Sequence, residues 1–501
     1  MTAYSWDPAL TAYSRVFTIK FRARPDHEPV FETCAKAGSL DQSFGDIEKI
    51  ECPDPAQYGG FIEVGRVQGS IDRAGTSLTA RFGRDIESRL LHLAKVRCAL
   101  DVQFHLGACT DPRVFNKFDK AIILEDAYFT NWSSEDIGAL SSDENAAITE
   151  SVDVSVGKFY EVLPLTFQER ATDIVMNEIV DVVICDRVSC GDECDTESQG
   201  CDKIYALAGA TEGSPGTAPD VIYSIDGGAV WALNEINSLI PAEAANAIAC
   251  LDEWLVVVSN DSNSLHYKAI DDVNNGVVGG WVEVTTGFVA THEPNDIWSV
   301  GYASFIVGDL GYVYYCTEPS AGVSVLDAGV VTANTLNAVH AIDDTHAVAV
   351  GDSDTVIYTT NRTNWQATTA SPTSGGNLQG VWMKNDSEWW VVSDNGECWY
   401  TLDAGESWTQ KTLAGTVSEL HDIAFGTNSL AYVCGRYQNT GRAWRSFNGG
   451  YDFVALPEGT GSLPTARDLN ALAACDYDPN FLVLVGEGEN ADDGIIMLGE
   501  D

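Results

Sequence analysis

Positive charge is what this chain has least of. Lysine and arginine number 28 against 74 aspartates and glutamates, a formal net charge of −46 over 501 residues. The deficit deepens along the chain, from about −10 over residues 1–178 to about −36 after them. Anionic excess on this scale excludes a protein that grips nucleic acid, although an acidic wall past which DNA slides is compatible with it. It also suits solubility in saline water, where screening relieves self-repulsion. Long apolar runs are missing too. No stretch reaches membrane-span length, and Met1–Phe17 lacks the apolar core of a secretory signal, so synthesis in the cytoplasm is expected.

The length exceeds what one hydrophobic core serves, so two or more domains are expected. Glycine is abundant, with 45 residues, and aromatics make up 10%, which favours short strands and tight turns over helical bundles.

The second half repeats itself. One copy reads Leu336-Asn-Ala-Val-His-Ala-Ile, then Ala347-Val-Ala-Val-Gly-Asp352, then Val356-Ile-Tyr-Thr-Thr-Asn361. The next runs from Leu378 through Trp389–Asp394 to Cys398–Asp403, and a third from Leu420 through Ala431–Gly435 to Ala443–Asn448. Looser copies surround Val307–Asp309, Val256–Asn260, Tyr205–Gly209 and Val483–Gly486, seven in all. A 40–50-residue period of short apolar strands split by Asp, Asn and Gly is that of propeller blades. The last copy stops one strand short, so ring closure requires a strand from Glu161–Met176. The predicted fold is therefore mainly β, with a seven-bladed β-propeller over 203–501 and a linker, closing strand and Cys-rich insert over 161–202.

Several copies end their third strand in Ser/Thr-x-Asp-x-Gly-x-x-Trp. It reads Ser224-Ile-Asp226-Gly-Gly228-Ala-Val-Trp231 and Thr401-Leu-Asp403-Ala-Gly405-Glu-Ser-Trp408. Degenerate forms are Ser446-Phe-Asn448-Gly-Gly450-Tyr-Asp-Phe453 and Thr359-Thr-Asn361-Arg-Thr-Asn-Trp365, the last one residue short. A short carboxylate or amide holds its own turn, glycine supplies positive φ, and the aromatic covers the gap between sheets. This resembles the Asp-box of sialidase-type propellers, and the overall texture is similar to photosystem II assembly-factor propellers, which are docking modules. Sialidase chemistry would need an arginine triad on different blades. Here Arg362, Arg436, Arg442, Arg445 and Arg467 cluster late in the chain and no Arg-Ile-Pro opening exists, so the expectation is no enzyme and no cofactor.

Cys185, Cys190, Cys194 and Cys201 crowd one insert. Three readings stay open for them: zinc ligands, disulfides or free thiols. The other cysteines, including Cys250, Cys316, Cys398, Cys434 and Cys475, read as small buried hydrophobes. His266, His292, His340, His346 and His421 are dispersed and read as ordinary strand and turn residues, and Asp271-Asp272 and Asp492-Asp493 as solvated turns.

Residues 1–160 change character. Arg15–Arg22, Phe61–Gln68, Ser77–Phe82, Val96–His105, Ala121–Phe129 and Ile148–Val162 read as strands, and Asp85–Val96 as a helix burying Ile86, Leu90 and Leu93. Together with Gly45–Ile50, Pro53-Asp54 and Gly60–Ser77, this order is similar to the tail-tube proteins of long-tailed viruses. The resemblance implies a β-sandwich or barrel subunit that joins copies of itself into stacked, six-fold rings around a lumen that passes DNA without binding it specifically. Asp41–Tyr58 and Asn131–Asn145 would be contact loops. It implies a virion tail location, other tail proteins as partners, and a propeller displayed outward toward host-surface glycans. The alternative is a cellular docking or assembly factor whose propeller holds a partner protein.

Overall fold

The computed structural model describes the strands of residues 17–134 and 149–155. With side chains it describes residues 122–129 and most of 155–499, leaving out 171–177, 186–200, 209–219, 237–244, 260–262, 290–291, 457–462, 476–477, 489–493 and a few single positions. The chain forms two compact units, Met1–Leu163 and Pro164–Asp501. Among the described residues no helix is long and apolar enough to cross a membrane.

The first unit contains an eight-stranded antiparallel sheet and a separate hairpin. Its spine is the 17-residue strand Phe118–Ser134, paired along one edge with Leu100–Gly107. The segment read as one strand over Ile148–Val162 is two, Thr149–Ser155 and Lys158–Val162, both lying along the same partner strand. The interruption has a local cause: Asp126, opposite the break, adopts φ 54°, and its carbonyl accepts from the Gly157 N–H at 3.3 Å. The expected loop Asp41–Tyr58 contains the strand Lys49–Pro53, which pairs with Phe61–Arg66, and Asn131–Ser134 belongs to the spine strand. The helix read over Asp85–Val96 lies outside the described residues.

The second unit is a ring of seven four-stranded antiparallel sheets, a seven-bladed β-propeller. Blade 1 runs Ile179–Ile184, Ile204–Ala208, Asp220–Ser224, Ala232–Glu235. Blades 2 to 6 begin at Ala245–Leu251, Pro294–Val300, Leu336–Ala341, Leu378–Met383 and Glu419–Phe425. Blade 7 has Asp468–Ala474, Leu482–Glu487 and Gly494–Glu500 from the end of the sequence, and Thr166–Arg170 from before blade 1. That last strand, inside the Glu161–Met176 window, pairs antiparallel with Gly494–Glu500 from Thr166↔Glu500 to Arg170↔Ile496.

Sequence explains the layering. Each blade is covered on both faces, so its second strand is a nearly continuous apolar run, as in Ala303–Gly308, Ala347–Gly351 and Trp389–Ser393, all buried along their length. Outer strands such as Gln366–Ala367 and Thr409–Lys411 are short and polar because their far edge faces water. The recurring Val-Gly at the end of the second strand is steric. A Cβ on Gly351 would sit 2.0 Å from the Thr335 carbonyl oxygen, and one on Gly308 2.0 Å from that of Glu293.

Candidate functional site: the central channel

The first strands of all seven blades surround a channel of about 520 Å³. In every blade this inner strand is bulged by one residue against its neighbour, at Val180, Asn246, Asn295, Asn337, Gln379, His421 and Asn470. A bulge turns an extra side chain sideways, and here it points along the ring. The amides of Asn246, Asn295, Asn337 and Asn470 donate to the carbonyls of Pro294, Leu336, Leu378 and Ile179, each in the next blade, at 2.8 to 3.0 Å. His421, at the same position in blade 6, places its Nε2 3.1 Å from an Asp468 carboxylate oxygen of blade 7.

One residue deeper, blades 1, 3 and 6 carry Asp181, Asp296 and Asp422. Each carboxylate accepts the N–H of its own successor and an N–H of the following blade: Ile248 at 2.8 Å, Val339 at 2.7 Å and Leu472 at 3.0 Å. The receiving blades hold Ala247, Ala338 and Ala471 at the corresponding position, which leaves room for the incoming carboxylate. Blade 5 has Gly380 there, where a Cβ would come within 3.0 Å of the backbone at His421 and Asp422. Burial pushes all three carboxyls above the ordinary range, Asp296 to about 7, and repulsion between aspartates adds to the rise at Asp181 and Asp296.

Toward the far end of the channel the lining is asymmetric. Trp298, His340 and Trp382 of blades 3 to 5 cluster with tilted rings, His340 centred 4.2 Å from Trp298 and 4.0 Å from Trp382, whereas the corresponding positions of the other blades are Val183, Ala249, Ala424 and Ala473. His340 is buried and held neutral, its pKa lowered to about 3, and its Nδ1 accepts from the Met383 N–H. Tyr302, which also lines the channel, is 70% exposed.

The Asp-box residues lie away from the channel, in the turns between third and fourth strands. In blade 1 the Ser224 hydroxyl accepts from Gly228 N–H at 2.9 Å, and Asp226 accepts from Val230 N–H at 2.8 Å. Thr401, Asp403, Gly405 and Ser407 repeat this in blade 5, and Ser446, Asn448, Gly450 and Asp452 in blade 6. In blade 4 the shorter turn has Asn361 accepting from Asn364 at 2.8 Å, with Arg362 at φ 68° where the others place Gly227, Ala404 and Gly449, also at positive φ. Trp231, Trp365, Trp408 and Phe453 each pack into the core shared with the preceding blade. Burial holds the Asp403 carboxyl less than its hydrogen bonds do, and the net effect is a lowered pKa. Blade 2 has no box; a short helix, Ile270–Asn274, takes its place, and Asp271 and Asp272 fall in its first turn.

The arginines are spoken for in different ways. Arg362 donates to Tyr315 Oη, Arg436 bridges Glu419 and Asp468, Arg467 pairs with Glu487, and Arg445 is fully buried with Phe447. Arg442 is exposed on its strand, and none of the five lines the channel.

The insert's cysteines separate. Cys185 is disulfide-bonded to Cys250 of blade 2 and Cys201 to Cys475 of blade 7. Two of the four proposed zinc ligands are thus committed to sulfurs outside the insert, so that four-thiolate site does not form in this oxidised state. Cys190 and Cys194 lie outside the described residues. Cys250 and Cys475, read as plain buried hydrophobes, are disulfide partners instead; that reading missed them because Cys250 sits alone in an apolar strand and Cys475 alone just past the end of one. Cys316, Cys398 and Cys434 are free and buried. Among the described residues no group of three His, Cys, Asp or Glu is placed to hold a metal. The Asn and Asp contacts between blades went unread in sequence, although the recurring Asn before Ala or Asp in four of the seven inner strands was the signal.

No family model matches the chain, and no curated protein does. Among solved structures, it is similar to selenomethionine-substituted virginiamycin B lyase from Staphylococcus aureus, with TM-score 0.51 and 10% identity over 67% of this chain and 99% of that one. YCF48 bound to D1 peptide gives TM-score 0.48 and 14% identity over 68% and 98%, and YCF48 from Cyanidioschyzon merolae 0.48 and 10% over 67% and 98%. What the second unit shares with the lyase at that identity is a fold, the β-propeller.

Proposed function

We propose that this chain is a structural subunit of a viral tail, made in the host cytoplasm. Its first unit associates with copies of itself into stacked rings around a DNA-conducting lumen, and its propeller serves as a non-enzymatic display surface for host-surface glycans or other tail proteins. The observation that carries the non-enzymatic part is how the channel spends its polar groups. Asn246, Asn295, Asn337, Asn470 and the three aspartates are hydrogen-bonded to backbone of the next blade, so they brace the ring and are not poised toward a substrate. The scattered arginines add support, since anion recognition by a triad needs them convergent. The tail assignment draws support from the element order of the first unit and from the acidic charge, which lets DNA pass without trapping.

Negative-stain or cryo-electron microscopy of the purified protein tests it. Rings or tubes studded with knobs are expected. A strict monomer at every concentration, with one discrete partner captured, would instead favour a docking factor, and turnover in sialidase or lyase assays would overturn the non-enzymatic reading.

A further inference from the structure

The two disulfides occupy unlike surroundings. Cys201–Cys475 joins blade 1 to blade 7 beside the ring's seam, with Cys201 7% and Cys475 1% exposed. Cys185–Cys250 joins the ends of two inner strands, in blades 1 and 2, and both residues line the channel near Asp252 and Tyr302. Cys250 is only half-buried. The strands that Cys185–Cys250 links are also held together by Asp181 and Ile248, whose 2.8 Å hydrogen bond does not depend on the sulfurs.

We propose that Cys185–Cys250 is a redox-responsive site, reducible by a dithiol from the channel while the propeller stays folded, and that Cys201–Cys475 is the permanent clasp of the ring. Exchange requires a thiolate to reach one sulfur in line with the bond it breaks, and the channel offers that approach at Cys250. A dithiol's thiolate attacks Cys250 Sγ, the S–S bond breaks, and Cys185 leaves as a thiolate that takes a proton. The dithiol's second sulfur then attacks the mixed disulfide and releases Cys250 as a thiol. Two electrons and two protons pass to the protein, and the dithiol becomes a disulfide. Reduction leaves Cys185 held by its backbone N–H, which donates to the Lys203 carbonyl at 3.0 Å, and leaves the Cys201–Cys475 bond in place. This inference is independent of the viral assignment, because it rests on the propeller alone.

The test is a dithiothreitol titration of the full-length oxidised protein under native conditions. Free thiols are first blocked with N-ethylmaleimide, newly exposed ones are alkylated with iodoacetamide, and peptides are mapped by mass spectrometry. Cys185 and Cys250 are expected to carry the second label at roughly tenfold lower dithiothreitol than Cys201 and Cys475, with near-ultraviolet circular dichroism unchanged. The proposal is overturned by simultaneous or reversed labelling, by no native labelling of Cys185 and Cys250, by their pairing with other cysteines, or by loss of the dichroism signal as they are labelled. The double variant Cys185→Ser/Cys250→Ser supplies a second readout: it should retain the native spectrum.

Discussion

Asp296 of blade 3 accepts the backbone N–H of Val339 in blade 4 at 2.7 Å, and its other oxygen accepts the N–H of Ile297 at 2.8 Å. One side chain thereby fixes the distance between two inner strands. Asp181 and Asp422 do the same for blades 1 and 2 and blades 6 and 7, so the ring is braced in pairs with blade 5 between.

Removing that brace should carry a pH signature. Burial raises Asp296 to about 7 in the folded protein, above the unfolded value near 4. A group that binds its proton more tightly when folded contributes stability fully below the unfolded value, and the contribution is lost as pH rises through about 7. Asp296→Ala should therefore lose most relative to the native chain near pH 5, about 1–3 kcal/mol, and less at pH 8. Urea melts at both pH values check this; a loss that grows with pH would refute the assignment.

His266 should act in the opposite direction. It is fully buried in blade 2 with neither ring nitrogen hydrogen-bonded, and burial lowers its pKa to about 4. The unfolded chain then binds a proton that the folded one excludes, so stability falls as pH drops from about 6.5 toward 4. His266→Leu is expected to flatten that acid slope in thermal melts. An unchanged slope would show that other groups govern acid unfolding.

Two glycines separate backbone strain from crowding. Gly450 and Gly415 both have φ of 94°, but a Cβ on Gly450 would lie 2.8 Å from the Trp390 ring, whereas nothing lies within 4 Å at Gly415. Gly415→Ala should cost about 1 kcal/mol from conformation alone. Gly450→Ala should cost about 1–3 kcal/mol more, by overpacking. Equal losses in chemical denaturation would mean that the Asp-box glycine serves its turn only.

The ring's closing strand can be tested by truncation. A chain beginning at Pro164 retains Thr166–Arg170 and should fold as a soluble propeller, while one beginning at Glu178 should leave Gly494–Glu500 with a bare edge and aggregate. Size-exclusion chromatography with light scattering distinguishes the two. Monomeric, equally stable products from both would remove any role for the closing strand.

The blades were legible because their cause is local. Runs such as Ala347–Gly351 must be buried on two faces, and turns such as Asp226-Gly-Gly228 must hold themselves, so both leave a periodic mark in the sequence. Closure was legible by counting strands. The channel was not, because Asn295 and Asp296 acquire meaning only once the bulge directs them at another blade, and that geometry arises from packing seven sheets in a circle. Disulfide partners were hidden for the same reason: Cys201 and Cys475 lie 274 positions apart in sequence and meet only at the seam. In the first unit, the break between Ser155 and Lys158 escaped because the residue forcing it, Asp126, sits on the opposing strand.

The pairing of Thr166–Arg170 with Gly494–Glu500 sets a timetable for biogenesis. Thr166–Arg170 leaves the ribosome before any blade is complete, then waits through six of them for its mate. During that interval the waiting segment can be satisfied by the final strand of another nascent copy, a domain swap that would yoke two propellers together. Dilution, and elongation fast enough to shorten the wait, should therefore raise the yield of single rings.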